Sequence, residues 1–328
     1  MSAPTTPILA AAALVALAGC RAVPVDPAAG RALPPVSVAP LPAGTPSVRF
    51  LALGDTGTGG RGQREVAAAM AAKAARDGCD FVLLLGDNFY PAGVSTADDP
   101  RFERDFELVY DAPSLQVPFF AALGNHDHSG SIAAQIERTV RGTRWCMPAR
   151  HYAFQWRLDD GTEIDFFALD TTPIVKDSES GREELRWLDD ALARSRARWR
   201  VVYGHHPIRS AMRRGDVEPF RSALEPRLVR HGVDLYLAGH DHTLQMLPPR
   251  DGLACVVSGA GGGRDNAGRV AWSDDVEYCA TGGGFVAVRA SRDELLVEFV
   301  RPDGATQFAR ALRKEGGRRR ERPREVDR

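Results

Sequence analysis

Five short apolar runs constrain this chain more than anything else in it, because each is stopped by a glycine and followed at once by side chains that bind metals or move protons. Val48 to Leu53 leads to Gly54-Asp55-Thr56-Gly57, and Phe81 to Leu85 leads to Gly86-Asp87-Asn88-Phe89-Tyr90. Phe119 to Leu123 leads to Gly124-Asn125-His126-Asp127-His128. Trp199 to Tyr203 leads to Gly204-His205-His206-Pro207, and Val233 to Ala238 leads to Gly239-His240-Asp241-His242. Runs of this length read as buried strands, and glycine lets the backbone turn sharply at the strand end. One strand-Gly-Asp step is ordinary turn chemistry; five strand-Gly-donor steps in one chain are not. Open α/β sheets bind ligands beyond the carboxyl ends of their strands, so the five runs deliver carboxylate, amide and imidazole to one rim. Of the 8 histidines, only His151 and His231 lie outside the last three motifs.

The segments between the runs fit such sheets. Arg64 to Arg76 is Ala-rich and uninterrupted, which predicts a helix crossing between the first two parallel strands. Arg101 to Tyr110, closed off by Pro113, and Ile132 to Val140 carry helical patterns as well. His151 to Leu158 alternates, Asp159-Asp160-Gly161 turns, and Glu163 to Leu169 is largely apolar, a β-hairpin signal that implies mixed sheets. Glu183 to Arg196 reads as a helix, and Glu218 to His231 as one that Pro226 breaks or kinks. Strands are predicted at Leu253 to Ser258, Phe285 to Arg289 and Leu295 to Val300, separated by Gly-rich breaks.

With 328 residues, 44% of them hydrophobic, the chain can build one large core. Its net charge of −1 gives no hint of a nucleic-acid partner. Ile8 to Ala18 is apolar but too short to span a bilayer as a helix. It ends in Leu17-Ala18-Gly19-Cys20, which resembles a bacterial lipobox, although no Lys or Arg precedes it. The segmentation expected is therefore an export signal with lipobox over 1–20, a Pro/Ala-rich tether over 21–47, a catalytic domain over 48–312 and a disordered charged tail over 313–328. The expected location is periplasmic or outer-membrane-anchored in a bacterium, the membrane being reached through a lipid on Cys20. Cys79, Cys146, Cys255 and Cys279 then remain. In an oxidising compartment they allow up to two bridges, and Cys255 with Cys279, flanking a Gly-rich loop, is the pair expected first.

The donors Asp55, Asp87, Asn125, His205, His240 and His242 make up a set suited to two metal ions, since carboxylate suits hard cations and imidazole suits Zn, Mn or Fe(II). In order, Gly-Asp, Gly-Asp-Asn, Gly-Asn-His-Asp, Gly-His and Gly-His-x-His resemble the calcineurin-like metallophosphoesterase superfamily. Tyr90, three residues after Asp87, is similar to the iron-binding tyrosine of purple acid phosphatases. Gly124 to His128, Arg144-Trp145, Gly239 to Gln245 and Ser258-Gly-Ala-Gly261 resemble the small, tartrate-resistant branch. The resemblance spans roughly Val48 to Gln307. It implies an α/β fold, a four-layer αββα sandwich of two mixed β-sheets flanked by helices. It also implies Fe(III) on Asp55, Asp87, Tyr90 and His242, and Fe(II), Zn or Mn on Asp87, Asn125, His205 and His240, with Asp87 bridging. The reaction implied is phosphomonoester hydrolysis by a metal-bound hydroxide, on a small phosphorylated substrate.

In the same reading His126 serves as hydrogen-bond donor to the phosphate or as acid for the leaving group, while Asp127 and Asp241 orient other groups rather than carry protons. Animal members of the branch have a further histidine where this chain has Arg213-Arg214-Gly215, and Arg214 is suited to clamp a phosphate rather than donate a proton. The role of His206 stays open, and His128 is read either as structural or as a substrate contact. His151 and His231 are expected to be structural, Asp170 to cap a turn, and Cys146 and Met147 to pack the core. Two other readings stand beside the phosphomonoesterase: a phosphodiesterase or nucleotide phosphatase of the same superfamily, and an inactive, surface-anchored binding protein.

Overall fold

The structure, a computed structural model, describes residues 44–212, 215–262, 270 and 276–314. The expected leader with Cys20, the tether up to residue 43, Arg214 and the tail beyond residue 314 lie outside the described residues.

In chain order the elements are β1 (Ser47–Leu53), α1 (Arg61–Asp77), β2 (Phe81–Leu85), β3 (Phe119–Ala122), α2 (Ile132–Thr139) and β4 (Trp145–Cys146). The hairpin follows as β5 (Tyr152–Arg157) and β6 (Glu163–Ala168), then α3 (Thr171–Val175), α4 (Glu179–Arg194), β7 (Trp199–Tyr203), α5 (Phe220–Arg230) and β8 (Leu235–Ala238). The chain closes with β9 (Leu244–Arg250), β10 (Leu253–Ser258), β11 (Tyr278–Ala280), β12 (Phe285–Ser291), β13 (Glu294–Val300) and β14 (Thr306–Arg313). Two mixed sheets result, in the orders β14-β13-β12-β1-β2-β3-β4 and β11-β9-β10-β8-β7-β6-β5. In the first, β1 to β4 run parallel and β12 to β14 return antiparallel on the far side of β1. In the second, β6, β7, β8 and β10 are parallel neighbours, with β5 and β9 antiparallel at their flanks.

Aromatic rings fill the space between the sheets. Phe81 of β2 stacks on Phe50 of β1 at 5.0 Å between centroids and meets Phe166 of β6 edge-on at 5.3 Å. Phe120 of β3 lies 4.1 Å from Phe154 of β5. Strand alternation sends the next residue, Phe167, to the opposite face, where it packs with Leu185, Leu188 and Leu192 of α4 and Leu224 and Leu228 of α5. The sheets are thus joined through one apolar layer and flanked by helices outside it, the sandwich expected.

Three expectations are corrected. The helix predicted over Arg101 to Tyr110 winds as a wide π-type turn at Glu103–Glu107, and both Phe102 and Phe106 meet Trp145 edge-on at 5.3 Å. α5 runs unbroken through Pro226. Cys255 and Cys279 are both free thiols. They sit on β10 and β11, each paired to β9 from opposite sides. Two strand spacings, roughly 9.5 Å, separate them, too far for a disulfide.

Candidate metal centre

The motif glycines act less as turns than as gaps. Of the five that end the strands, only Gly86 has a positive φ, 83°. The left-handed conformation falls instead on the donors: Asp55 at φ 58°, Asp87 at 51° and His240 at 66°. Such angles are strained for residues with a Cβ and concentrate where function imposes them. Gly124 is needed because a Cβ there would lie 2.2 Å from the backbone nitrogen and Oδ1 of Asp87. At Gly239 a Cβ would come within 2.6 Å of Asp55 Oδ2.

All seven donors of the expected set converge. The first sheet contributes Asp55 after β1, Asp87 and Tyr90 after β2, and Asn125 after β3; the second contributes His205 after β7 and His240 and His242 after β8. Tyr90 Oη lies 3.1 Å from Asp55 Oδ1, 3.0 Å from Asp87 Oδ2 and 3.3 Å from His242 Nε2. His205 Nε2 lies 3.1 Å from Asn125 Oδ1, 3.1 Å from His240 Nδ1 and 3.4 Å from Asp87 Oδ2. Asp87 Oδ2 is common to the two halves.

Backbone groups aim these donors. His126 N–H donates to Asp87 Oδ1 at 2.8 Å and His240 N–H to Asp55 Oδ2 at 2.7 Å. His205 Nδ1 donates to the Leu85 carbonyl at 3.0 Å, which leaves Nε2 facing the cluster. His126 Nδ1 likewise donates to the Pro91 carbonyl at 2.6 Å, and its ring lies 4.6 Å from that of Tyr90.

The electrostatics are those of a cluster short of positive charge. Burial, then the charges of Asp55 and Asp87, push the Tyr90 phenol far above its usual range. Burial opposes ionisation of Asp87, but the His205 imidazolium and the His126 amide outweigh it and hold that carboxyl well below the usual range. Burial opposes charging of His205, yet Asp87 and Asp55 raise it to about 9. Among the described residues neither aspartate pairs with Lys or Arg.

Behind the donors stands a layer of polar clamps. Asp127 is fully buried and accepts from the Gly124 amide at 2.8 Å, the Asn88 amide at 3.1 Å and Gln135 Nε2 at 2.9 Å. It faces the motif backbone, and burial together with the Asp87 charge lifts its carboxyl to about 6. Asp241 accepts from Ser210 Oγ at 2.5 Å. Asp170 does not cap its turn with its side chain: its carboxylate takes His128 Nε2 at 2.7 Å and Arg150 Nη2 at 2.8 Å. His128 thus has a buried carboxylate partner. His151 and His231 lie against Glu184 and Asp189, away from the donors. Sequence reasoning passes over Thr171, whose Oγ1 accepts the amides of His205 at 3.2 Å and His206 at 3.0 Å. With both lone pairs occupied, the hydroxyl proton goes to His206 Nδ1 at 2.8 Å. The available signal was Asp170-Thr171 itself, a sixth polar pair at the end of an apolar strand, without the glycine.

A two-sheet α/β sandwich with this rim has the build of a metallophosphoesterase. Residues 48–244 match the family model for calcineurin-like phosphoesterases, and the chain belongs to that family. Human tartrate-resistant acid phosphatase type 5 is 33% identical over 297 residues, covering 82% of this chain and 91% of that protein. Purple acid phosphatase 4 of Arabidopsis thaliana is 34% identical over 285 residues, covering 80% and 82%. Among solved structures, GAP50, described as the anchor in the inner membrane complex of Plasmodium, superposes with a TM-score of 0.74 at 24% identity, covering 81% of this chain and 89% of that one. Purple acid phosphatase PPD1 from yellow lupin seeds gives 0.62 at 18% identity, covering 84% and 55%. The two structural likenesses speak to the fold.

Proposed function

We propose that this chain is a phosphomonoesterase of the purple acid phosphatase kind, working with two metal ions bridged by Asp87. The observation that carries the reading is the position of Asp87 Oδ2, 3.0 Å from Tyr90 Oη and 3.4 Å from His205 Nε2, between an oxygen-rich and a nitrogen-rich half. The donor chemistry fits the ions. Asp55, Asp87, Tyr90 and His242 offer the hard, anionic set that Fe(III) prefers, and Asp87, Asn125, His205 and His240 the borderline set of Fe(II), Zn or Mn. The charge fits too, since buried carboxylates 1% and 2% exposed call for cations to compensate them. Bound there, the ions would polarise the phosphoryl group and offset the charge that builds on its oxygens.

The chain's own groups supply the rest. With Nδ1–H committed to Pro91, His126 has its Nε2 left to meet the substrate, where it is placed to serve the leaving group. Asp127 and Asn88 hold the motif loop that carries His126. Arg214 is proposed as a phosphate clamp on its sequence position alone. Export and lipid attachment at Cys20 are proposed on the N-terminal motif.

Metal analysis with turnover of p-nitrophenyl phosphate against its bis-ester tests the reading. Two ions per chain and preference for the monoester are expected; preference for the diester replaces the substrate class. Asp87→Ala should lose both ions, and retention of both would overturn the bridge.

A further inference from the structure

Beyond the donors the rim continues along the end of β6. Asp170 is fully buried there, and its backbone amide donates to Glu184 Oε1 at 2.7 Å. One carboxylate oxygen takes His128, two residues after His126; the other takes Arg150 through Nε at 3.1 Å and Nη2 at 2.8 Å. The next residue, Thr171, holds the amide of His205. Arg150 is therefore fixed one carboxylate away from the turn that carries His126, and that carboxylate belongs to the residue next to the one that holds the His205 amide.

That guanidinium is not used up by Asp170. It has five N–H donors, and Asp170 engages Nε and Nη2, with no other hydrogen bond to the guanidinium among the described residues. The Arg150 side chain is 44% exposed although its partner carboxylate is 0% exposed. The other oxygen of Asp170 is committed to His128 Nε2 at 2.7 Å, so the arginine shares its carboxylate with a second side chain. A positively charged planar fork, braced on one edge and open on the other, is suited to receive a phosphate or carboxylate.

We propose that Arg150 is a specificity-determining residue that receives a second anionic group of the substrate, so that the preferred substrates carry two such groups, as a diphosphate or a phosphorylated acid does. This rests on the phosphomonoesterase reading. The competing role, neutralising buried Asp170 and nothing more, would leave discrimination between substrates untouched.

Arg150→Gln, which keeps a hydrogen-bond donor toward Asp170, and Arg150→Ala are compared with the wild type as full-length, metal-loaded protein. The readout is the ratio of kcat/KM for inorganic pyrophosphate to that for p-nitrophenyl phosphate. Loss of one charge-assisted contact should lower the ratio about tenfold, through KM. An unchanged ratio, or a fall confined to kcat, overturns the proposal, and Arg150→Gln decides the matter should Arg150→Ala fail to fold. If the wild type hydrolyses neither compound, the phosphatase reading falls. Calorimetric binding of pyrophosphate against inorganic phosphate then judges Arg150 by the same tenfold change in affinity ratio or its absence.

Discussion

Tyr90 places a hydroxyl between two carboxylates and an imidazole. Its hydroxyl has one proton to give, yet two carboxylate oxygens and an imidazole nitrogen lie within 3.3 Å of it. Without cations it is a phenol held far above its usual range by burial and two negative neighbours. A trivalent cation held there would reverse that balance, because it would favour the deprotonated ligand. Tyr90→Phe should leave the melting temperature within a few degrees while abolishing the visible absorption band of the iron-loaded protein. An unchanged spectrum would remove Tyr90 from the ligand set. At this scale the sequence was most legible: the seven side chains that meet at the rim were recognisable from offset and order. What it hid was the division of labour inside each motif. Glycine was expected to make the turn, but Asp55, Asp87 and His240 take the left-handed angles themselves, and Gly124 and Gly239 leave room for them.

At the scale of elements, α4 ties the rim to the core. Its N-cap Ser178 accepts from the Gly181 amide, and it buries Leu185, Leu188 and Leu192 against the second sheet. It buries Glu184 as well, whose carboxyl is pushed up to about 7, first by burial, with His151 pulling the other way. The native state therefore holds a proton that the unfolded chain, titrating near 4.5, releases earlier. Stability from this group is complete below pH 4.5 and is lost as pH rises towards 7. Glu184→Gln should flatten that decline, gaining on the order of 3 kcal/mol over the wild type between pH 5 and pH 8, by denaturant titration at each pH. Equal slopes would show that Glu184 is not the titrating group. The hairpin β5–β6 and helices α2 and α4 were readable from their patterns, and α1 from its uninterrupted alanine-rich run. β9 was not, because Pro248 and Pro249 argue against a strand. They are tolerated because β11 pairs only with Leu244 to Met246, and a register shift loosens the pairing with β10 beside them.

For the whole molecule, the layer between the sheets decides stability. Phe81 touches Phe50 and Phe120 on its own sheet and Phe154, Trp156 and Phe166 on the other. Phe81→Ala should cost about 3–5 kcal/mol and preserve a single unfolding transition, since one cavity weakens both faces. Two separated transitions in denaturant would show that the sheets unfold independently. Two mixed sheets could be expected from the motifs and the hairpin. That β12 would return to pair with β1 could not, because Ser47↔Ser291 joins residues from opposite ends of the fold and no local pattern records so distant a pairing.

The allocation of donors between the sheets has a mechanical consequence. Oxygen ligands come mainly from the first sheet and imidazoles from the second, so any ion held by both is a rivet through the seam. Ions held there would tie the two sheets together across the aromatic layer. Chelation should accordingly loosen the seam and lower the melting temperature, by an amount set by ion affinity and concentration.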